Sequence, residues 1–291
     1  MLCWMNGEYV EHDELKISPF DHGFLYGLGF FETFRTYNGK PLFIKEHLTR
    51  LQEALSAFHI SFPYTAEQLV EVIEALNAAD DGKDGYFRLN VSAGEHEIGL
   101  APSRYEHPNV IVFRKSLPPV ISGLEKTATI LQTRRNVPEN GETRFKGHHY
   151  GNNVLARFEL PSLAMQEGIF LTTEGFVAEG ITSNVFWVKD GVVYTPSLDT
   201  GILAGITRSL VLELIHQLGY SVQEGQFHVS ELLEAEECFI TNSVQQIVPI
   251  RSLGAATYLG NKGEVTKAIQ RAYEQLVELR LKGDLDGAIK S

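Results

Sequence analysis

Two runs of helical spacing lead into one run of strict alternation within the first hundred residues. That change of period fixes a mixed fold, because helices with one apolar face must cover a sheet with one apolar face. Leu48, Leu51, Leu55 and Phe58 recur at helical spacing across Ile44–Phe58. Thr65 and Gln68 form a capping-box pattern that opens a second helix, with Leu69, Val72, Ile73 and Leu76 on one face. From Tyr86 to Ser92 the period drops to two: Phe87, Leu89 and Val91 point one way, and Tyr86, Arg88, Asn90 and Ser92 the other. Asn109–Phe113 adds a short apolar strand.

Pro118, Pro119 and Gly123 then punctuate the chain. They predict a linker over 118–125, between a small α/β domain at 1–117 and a larger one at 126–291. In the second part, strands are expected near Thr127–Gln132, Gly168–Thr172, Asn184–Val188 and Glu237–Thr241, with Asp190-Gly191 as a hairpin turn. One helix runs from about Ile206 to Leu218, stopped by Gly219, and a last one covers about Glu264 to Leu281. There is no internal repeat and no low-complexity segment. Two α/β domains with a ligand cleft between them are expected.

The 291 residues carry a formal net charge of −12, which argues against broad nucleic-acid binding. It leaves room for an anionic small molecule, since a local pocket can be positive in an acidic protein. Cys3 and Cys238 sit at no metal-like spacing. No apolar run approaches the ~18 residues of a membrane span, and the first ten residues hold no apolar signal core. A soluble cytoplasmic protein acting on a small-molecule substrate is the expectation, with no nucleic acid, membrane or metal.

Four features have chemical potential, each with an ordinary alternative. Leu203-Ala204-Gly205-Ile206-Thr207-Arg208 precedes a helix, and the free N–H groups of Ile206 and Thr207 with the Thr207 hydroxyl make a phosphate cradle; it can also be a plain glycine loop. Glu179 stands just before a strand, either as surface charge or, if buried beside a heteroaromatic nitrogen, as the group that keeps that nitrogen protonated. Arg144 to Asn153 concentrates Lys146, His148, His149 and Tyr150. A lysine used for imine chemistry needs burial or nearby positive charge, which Arg144 and His148 could supply; the alternative is a solvated lysine. Arg50 lies off the packed face of its helix, as a phosphate clamp or a solvated arginine.

Together these residues resemble the fold-type IV pyridoxal-phosphate enzymes, the superfamily of branched-chain and D-amino-acid aminotransferases and aminodeoxychorismate lyases. The most specific stretch is Glu179, Asn184-Val185-Phe186, Tyr194-Thr195 and Leu203-x-Gly205-Ile206-Thr207-Arg208. The resemblance implies a two-domain α/β fold with a small domain, a larger barrel-like one that carries the Schiff-base lysine, and a homodimer. It implies pyridoxal 5'-phosphate held as a Schiff base on Lys146, with Glu179 at the pyridine nitrogen. Arg50, Gly205, Ile206 and Thr207 would hold the phosphate with Thr241 closing that end. Leu203 would pack on one ring face, and Tyr150 would lie near the phenolic oxygen or the lysine.

Within the superfamily, His148-His149-Tyr150-x-Asn152-Asn153, Ser197–Leu203 and Thr241-Asn242-Ser243-Val244 are most similar to bacterial aminodeoxychorismate lyases. The Arg-x-His carboxylate trap of D-amino-acid aminotransferases is absent from Ser92-Ala93-Gly94-Glu95-His96-Glu97. Arg88 could bind a substrate carboxylate instead, or form a structural salt bridge. The resemblance therefore implies elimination of pyruvate from 4-amino-4-deoxychorismate to give 4-aminobenzoate for folate synthesis. An amino-acid aminotransferase and an inactive cofactor-binding relative are the alternatives.

Overall fold

A computed structural model of the protein describes residues 1–100, 104–117, 123–138, 141 and 143–283. The chain divides into two compact units, Met1–Pro119 with Phe145–His149, and Val120–Arg144 with Tyr150–Ser291. Of the expected linker, 118–122 lies outside the described residues.

The first unit contains β1 (Leu2–Met5), β2 (Glu8–Glu11), the one-turn α1 (His22–Leu25), β3 (Gly29–Arg35), α2 (Ile44–Ala57), α3 (Ala66–Ala78), β4 (Gly85–Ser92) and β5 (Asn109–Ser116). The strands form an antiparallel sheet in the order β2-β1-β5-β4-β3. The alternation of β4 is as expected from Tyr86 to Val91, with Phe87, Leu89 and Val91 buried and Tyr86, Arg88 and Asn90 less so; Ser92, expected with the second set, is buried as well. Leu48, Leu51 and Leu55 of α2 and Leu69, Ile73 and Leu76 of α3 form one core with Phe30, Phe34, Phe87, Leu89 and Val91. Thr65 and Gln68 cap α3 reciprocally, each side chain bonded to the other's backbone N–H.

The segment that carries Lys146 clusters with this first unit, whereas its position in the sequence suggested the second domain. The cause is backbone pairing along β3. The Phe31 N–H donates to the Lys146 carbonyl at 2.9 Å, the His148 N–H donates to the Gly29 carbonyl at 2.9 Å, and Gly147 bridges to Phe30. Phe145 turns its ring to the helix side, against Phe30 and Phe58.

The second unit contains β6 (Lys126–Ile130), α4 (Gly151–Phe158), β7 (Gln166–Leu171), β8 (Val177–Gly180), β9 (Asn184–Lys189), β10 (Val192–Pro196), α5 (Ile206–Gln217), β11 (Ser221–Gly225), α6 (Val229–Leu233), β12 (Glu237–Asn242), β13 (Gln246–Leu253), β14 (Ala256–Thr257) and α7 (Glu264–Lys282). Eight strands run in the order β11-β10-β9-β12-β13-β6-β7-β8, with β14 paired to β13. The sheet is mixed, with parallel pairs β10–β11, β13–β6 and β6–β7. Asp190 and Gly191 both take positive φ, 51° and 74°, which gives the β9–β10 hairpin the twist its strands need. Val185, Trp187, Ile240, Val248 and Ile250 fill the core under this sheet. Among the described residues no helix is long and apolar enough to cross a membrane.

Candidate cofactor and substrate site

Strand alternation sorts the side chains of the first unit. Phe30, Glu32 and Phe34 of β3 face the helices, so Phe31 faces the other way. The paired segment follows the same rule, which puts Lys146 and His148 on the Phe31 side. Lys146 Nζ lies 4.8 Å from the centre of the Phe31 ring, and Arg88 Cζ stacks 3.6 Å from the same point. Arg88 donates through Nε and Nη2 to Asn90 Oδ1, at 3.2 and 3.1 Å, which fixes its guanidinium. The structure thus brings together two residues, Lys146 and Arg88, that the sequence separates by more than fifty positions.

His148 does not supply the positive charge expected of it. Burial and then the neighbouring Arg88 cation pull its pKa down to about 4, so the ring is neutral at physiological pH. Its ring presses on Gly29, where a Cβ would fall 2.4 Å from Nδ1 and Cε1.

Arg50 reaches β3 from α2, on the face opposite Lys146. Its Nε and Nη2 donate to the two carboxylate oxygens of Glu32, at 2.8 and 2.6 Å, while His47 Nδ1 lies 2.6 Å from Glu32 Oε2. Glu32 is 1% exposed. Burial alone would raise its pKa, but Arg50 and His47 outweigh that and hold it at about 2. This buried trio was not read from the sequence, where Glu32 interrupts an aromatic run.

In the second unit Glu179, at the end of β8, is 4% exposed and far from a surface charge. Arg135 Nε donates to its Oε1 at 2.8 Å, Arg144 Nε lies 3.8 Å from the same oxygen, and the Leu203 N–H donates to Oε2 at 3.0 Å. Arg135 Nη1 also donates to Asn152 and Asn153 at the start of α4, at 2.9 and 3.1 Å. Arg135 was missed in the sequence, although the Asn152-Asn153 pair, read there only as part of the resemblance, was the available signal. Arg144 turns inward to Glu179 and to the Gly201 carbonyl. Tyr150 immediately precedes α4.

The loop after Leu203 is shaped by Asn184. Asn184 Nδ2 donates to the Leu203 carbonyl at 2.9 Å, and a Cβ on Gly205 would fall 2.0 Å from Asn184 Oδ1. This contact explains why asparagine and glycine occur together in the motif. Gly205 is the N-cap of α5 and no side chain caps that helix, so its first turn presents backbone N–H groups at Ile206 and Thr207. Thr207 is buried. Thr241 pairs with Asn184 across β12 and β9. Its hydroxyl is buried with no hydrogen-bond partner among the described residues. A buried hydroxyl left without a partner costs roughly 1–3 kcal/mol, which points to an acceptor supplied from outside the chain.

Comparison with known proteins adds the following. The family model described as "Amino-transferase class IV" matches residues 29–253. The chain is 42% identical over 279 residues to the aminodeoxychorismate lyase of Bacillus subtilis (strain 168), covering 95% of each chain. It is 30% identical to the branched-chain-amino-acid aminotransferase of Escherichia coli (strain K12), covering 93% of this chain and 91% of that one. Among solved structures, the branched-chain aminotransferase of Thermoproteus uzoniensis with norvaline superposes with a TM-score of 0.86 at 28% identity, covering 95% of this chain and 94% of that one. A further branched-chain amino acid aminotransferase, complexed with N-(5'-phosphopyridoxyl)-L-glutamate, gives a TM-score of 0.84 at 28% identity, covering 96% of this chain and 94% of that one.

Proposed function

This chain belongs to the class IV amino-transferase family, and within it we propose that it is an aminodeoxychorismate lyase, eliminating pyruvate from 4-amino-4-deoxychorismate to leave 4-aminobenzoate. The carrying observation is the 42% identity to the Bacillus subtilis lyase over 95% of both chains. The absence of an Arg-x-His pair in Ser92–Glu97 argues against the D-amino-acid aminotransferase alternative.

The cofactor is pyridoxal 5'-phosphate, which when bound supplies an electron sink for a carbanion next to a substrate amine. The residues present suit it. The first turn of α5 offers N–H groups at Ile206 and Thr207, and the orphaned Thr241 hydroxyl suits a phosphate oxygen. Gly205 keeps that turn free of a side chain; Arg50 is put at the same phosphate by the resemblance alone, its Nε and Nη2 being engaged by Glu32 on the helix-packed face of the first unit. Glu179 would hold the proton at the pyridine nitrogen, Leu203 would give the ring an apolar contact, and Tyr150 is assigned to the phenolic oxygen.

Lys146 is the catalytic residue. Its amine would hold the cofactor, whose ring when bound would supply the electron sink at the substrate's amine-bearing carbon. The Lys146 Nζ then removes the proton from the amine-bearing ring carbon, the bond from the ring to the enolpyruvyl oxygen breaks, and the ring becomes aromatic. Lys146 returns a proton to the departing enolpyruvyl carbon, giving pyruvate, and so serves as base and then acid. Arg88 neutralises a substrate carboxylate. The same reading carries with it a homodimer in the cytoplasm.

The test is product identity. Purified protein with 4-amino-4-deoxychorismate is expected to release 4-aminobenzoate and pyruvate in equal amounts. No 4-aminobenzoate, together with rapid amino transfer from an amino acid to 2-oxoglutarate, would overturn the reading. A branched-chain aminotransferase is the second reading, favoured by the superposition on the Thermoproteus uzoniensis enzyme.

A further inference from the structure

Leu203 is gripped by both of its backbone polar groups. Its N–H donates to Glu179 Oε2 at 3.0 Å, and its carbonyl accepts from Asn184 Nδ2 at 2.9 Å. Glu179 and Asn184 bracket the segment 180–183, which carries the chain from β8 into β9. The shape of that segment therefore sets how the two grips on Leu203 are spaced. It closes on itself through the Gly180 N–H, which donates to the Ser183 carbonyl at 2.7 Å. From β7 it is held by the Glu167 carboxylate. The Ile181 N–H donates to Glu167 Oε1 at 3.0 Å, and the Ser183 hydroxyl donates to Oε2 at 3.0 Å. The Gly168 N–H also donates to Oε1, at 3.1 Å. Gly180 leaves room for this contact, since a Cβ there would fall 2.0 Å from Ser183 Oγ and 3.0 Å from Glu167 Cδ. Asn153 of α4 completes the hold, donating from Nδ2 to the Ile181 carbonyl at 2.5 Å.

Glu167 is 2% exposed, and nothing in the reaction as derived above uses it. Burial pushes its pKa up, against the pull of the Lys126 cation, the Ile181 N–H and the Ser183 hydroxyl. A carboxylate so placed is a weak source of stability, because a well-packed apolar side chain often serves as well. An apolar side chain cannot accept from an N–H and a hydroxyl two residues apart in one turn. We infer that Glu167 is a positioning residue: by fixing the segment 180–183 from within the fold, it sets where the Glu179 carboxylate and the Asn184 amide stand on Leu203. An ångström of misplacement at a catalytic group costs on the order of 10²-fold in rate. The expected effect on rate rests on the proposed role of Glu179 at the pyridine nitrogen; the effect on Leu203 does not. Neither depends on the choice between elimination and amino transfer.

The test uses holoenzyme and the variants Glu167→Leu, Glu167→Gln and Ser183→Ala. Amide hydrogen exchange at Leu203 reads the grip directly. KM and kcat, for whichever of 4-amino-4-deoxychorismate and glutamate the wild type turns over, read the consequence. Glu167→Leu is expected to speed exchange at Leu203 roughly 10-fold or more, while the β12–β13 amides keep their protection. It is expected to lower kcat roughly 10–100-fold with KM changed far less. Glu167→Gln keeps an oxygen for the Ile181 N–H and a polar group for Ser183, so both readings should return to within about 3-fold of wild type. Ser183→Ala should show the same two changes at smaller size, and it carries the test if Glu167→Leu does not fold. In a Glu179→Gln background Glu167→Leu should lower kcat by less than about 3-fold more, because the group it positions is already gone. Wild-type exchange at Leu203 in Glu167→Leu and Ser183→Ala would overturn the inference. So would exchange raised alike at Leu203 and along β12–β13, or full additivity of Glu167→Leu with Glu179→Gln. A Glu179→Gln protein with wild-type kcat would instead overturn the role of Glu179 at the nitrogen, and exchange at Leu203 would still decide the placement.

Discussion

Two buried glutamates, Glu32 and Glu179, lie 1% and 4% exposed, and each is paired with an arginine. They differ in what else holds them. Glu32 is closed by side chains alone, Arg50 on both oxygens and His47 on one, within a face packed by helices. Glu179 has one oxygen on Arg135 and the other on the backbone N–H of Leu203, the residue that starts the loop into α5. A buried ion pair by itself therefore does not mark a site. Attachment to a glycine-shaped loop and an uncapped helix does, because there the chain leaves donors that only a ligand completes.

The largest effect should come from breaking the second glutamate. On the proposed assignment Glu179→Gln is expected to cut kcat/KM on the order of 10³-fold, because loss of the carboxylate would leave the pyridine nitrogen unprotonated. Steady-state kinetics checks it. Stability should fall too, because buried Arg135 and Arg144 lose their carboxylate, but less than at Glu32, since Arg135 keeps its bonds to Asn152 and Asn153.

Glu32→Gln should show the reverse balance. Stability is expected to fall by about 3–5 kcal/mol, as when one partner of a buried ion pair is removed, and denaturant unfolding measures it. The same group gives a pH signature. Its folded pKa of about 2 lies below the ordinary 4.5, so its contribution is complete at neutral pH. As pH falls through 4.5 towards 2 that contribution is lost, amounting to about 3 kcal/mol by linkage. The Glu32→Gln protein should lack this part of the acid dependence.

Thr241→Val is the smallest change and the sharpest contrast. The orphaned hydroxyl is removed at nearly constant shape, so the protein without cofactor should be as stable as wild type or slightly more so. Affinity for pyridoxal phosphate is expected to drop about 10-fold, the worth of one hydrogen bond to a charged oxygen. Thermal unfolding and cofactor titration give the two readings.

The same comparison explains what the sequence made legible. Glu179, Asn184 and Leu203–Thr207 fall within thirty positions, so their spacing carries the site, and the contacts of Asn184 with Leu203 and Gly205 show why. The α2 and α3 faces and the β4 alternation were readable because period alone sorts buried from exposed residues. Strand β3 was not, since a charge in its middle argues against burial until partners fifteen and eighteen positions later neutralise it. Arg135 lies 44 positions from the glutamate it holds, and no local pattern announces that pairing. The attachment of Lys146 to the first unit depends on backbone bonds to β3 across more than a hundred residues, which neither composition nor punctuation encodes.

The most direct test of the account is the visible spectrum of the protein reconstituted with pyridoxal phosphate. Wild type should carry an absorbance band that survives gel filtration and borohydride should fix the cofactor to Lys146, as peptide mapping would locate. Lys146→Ala should fold, lose the fixed label and lose turnover by on the order of 10⁴-fold or more. A Lys146→Ala protein that keeps the band and the borohydride label, or a wild type labelled at another lysine, would contradict the account.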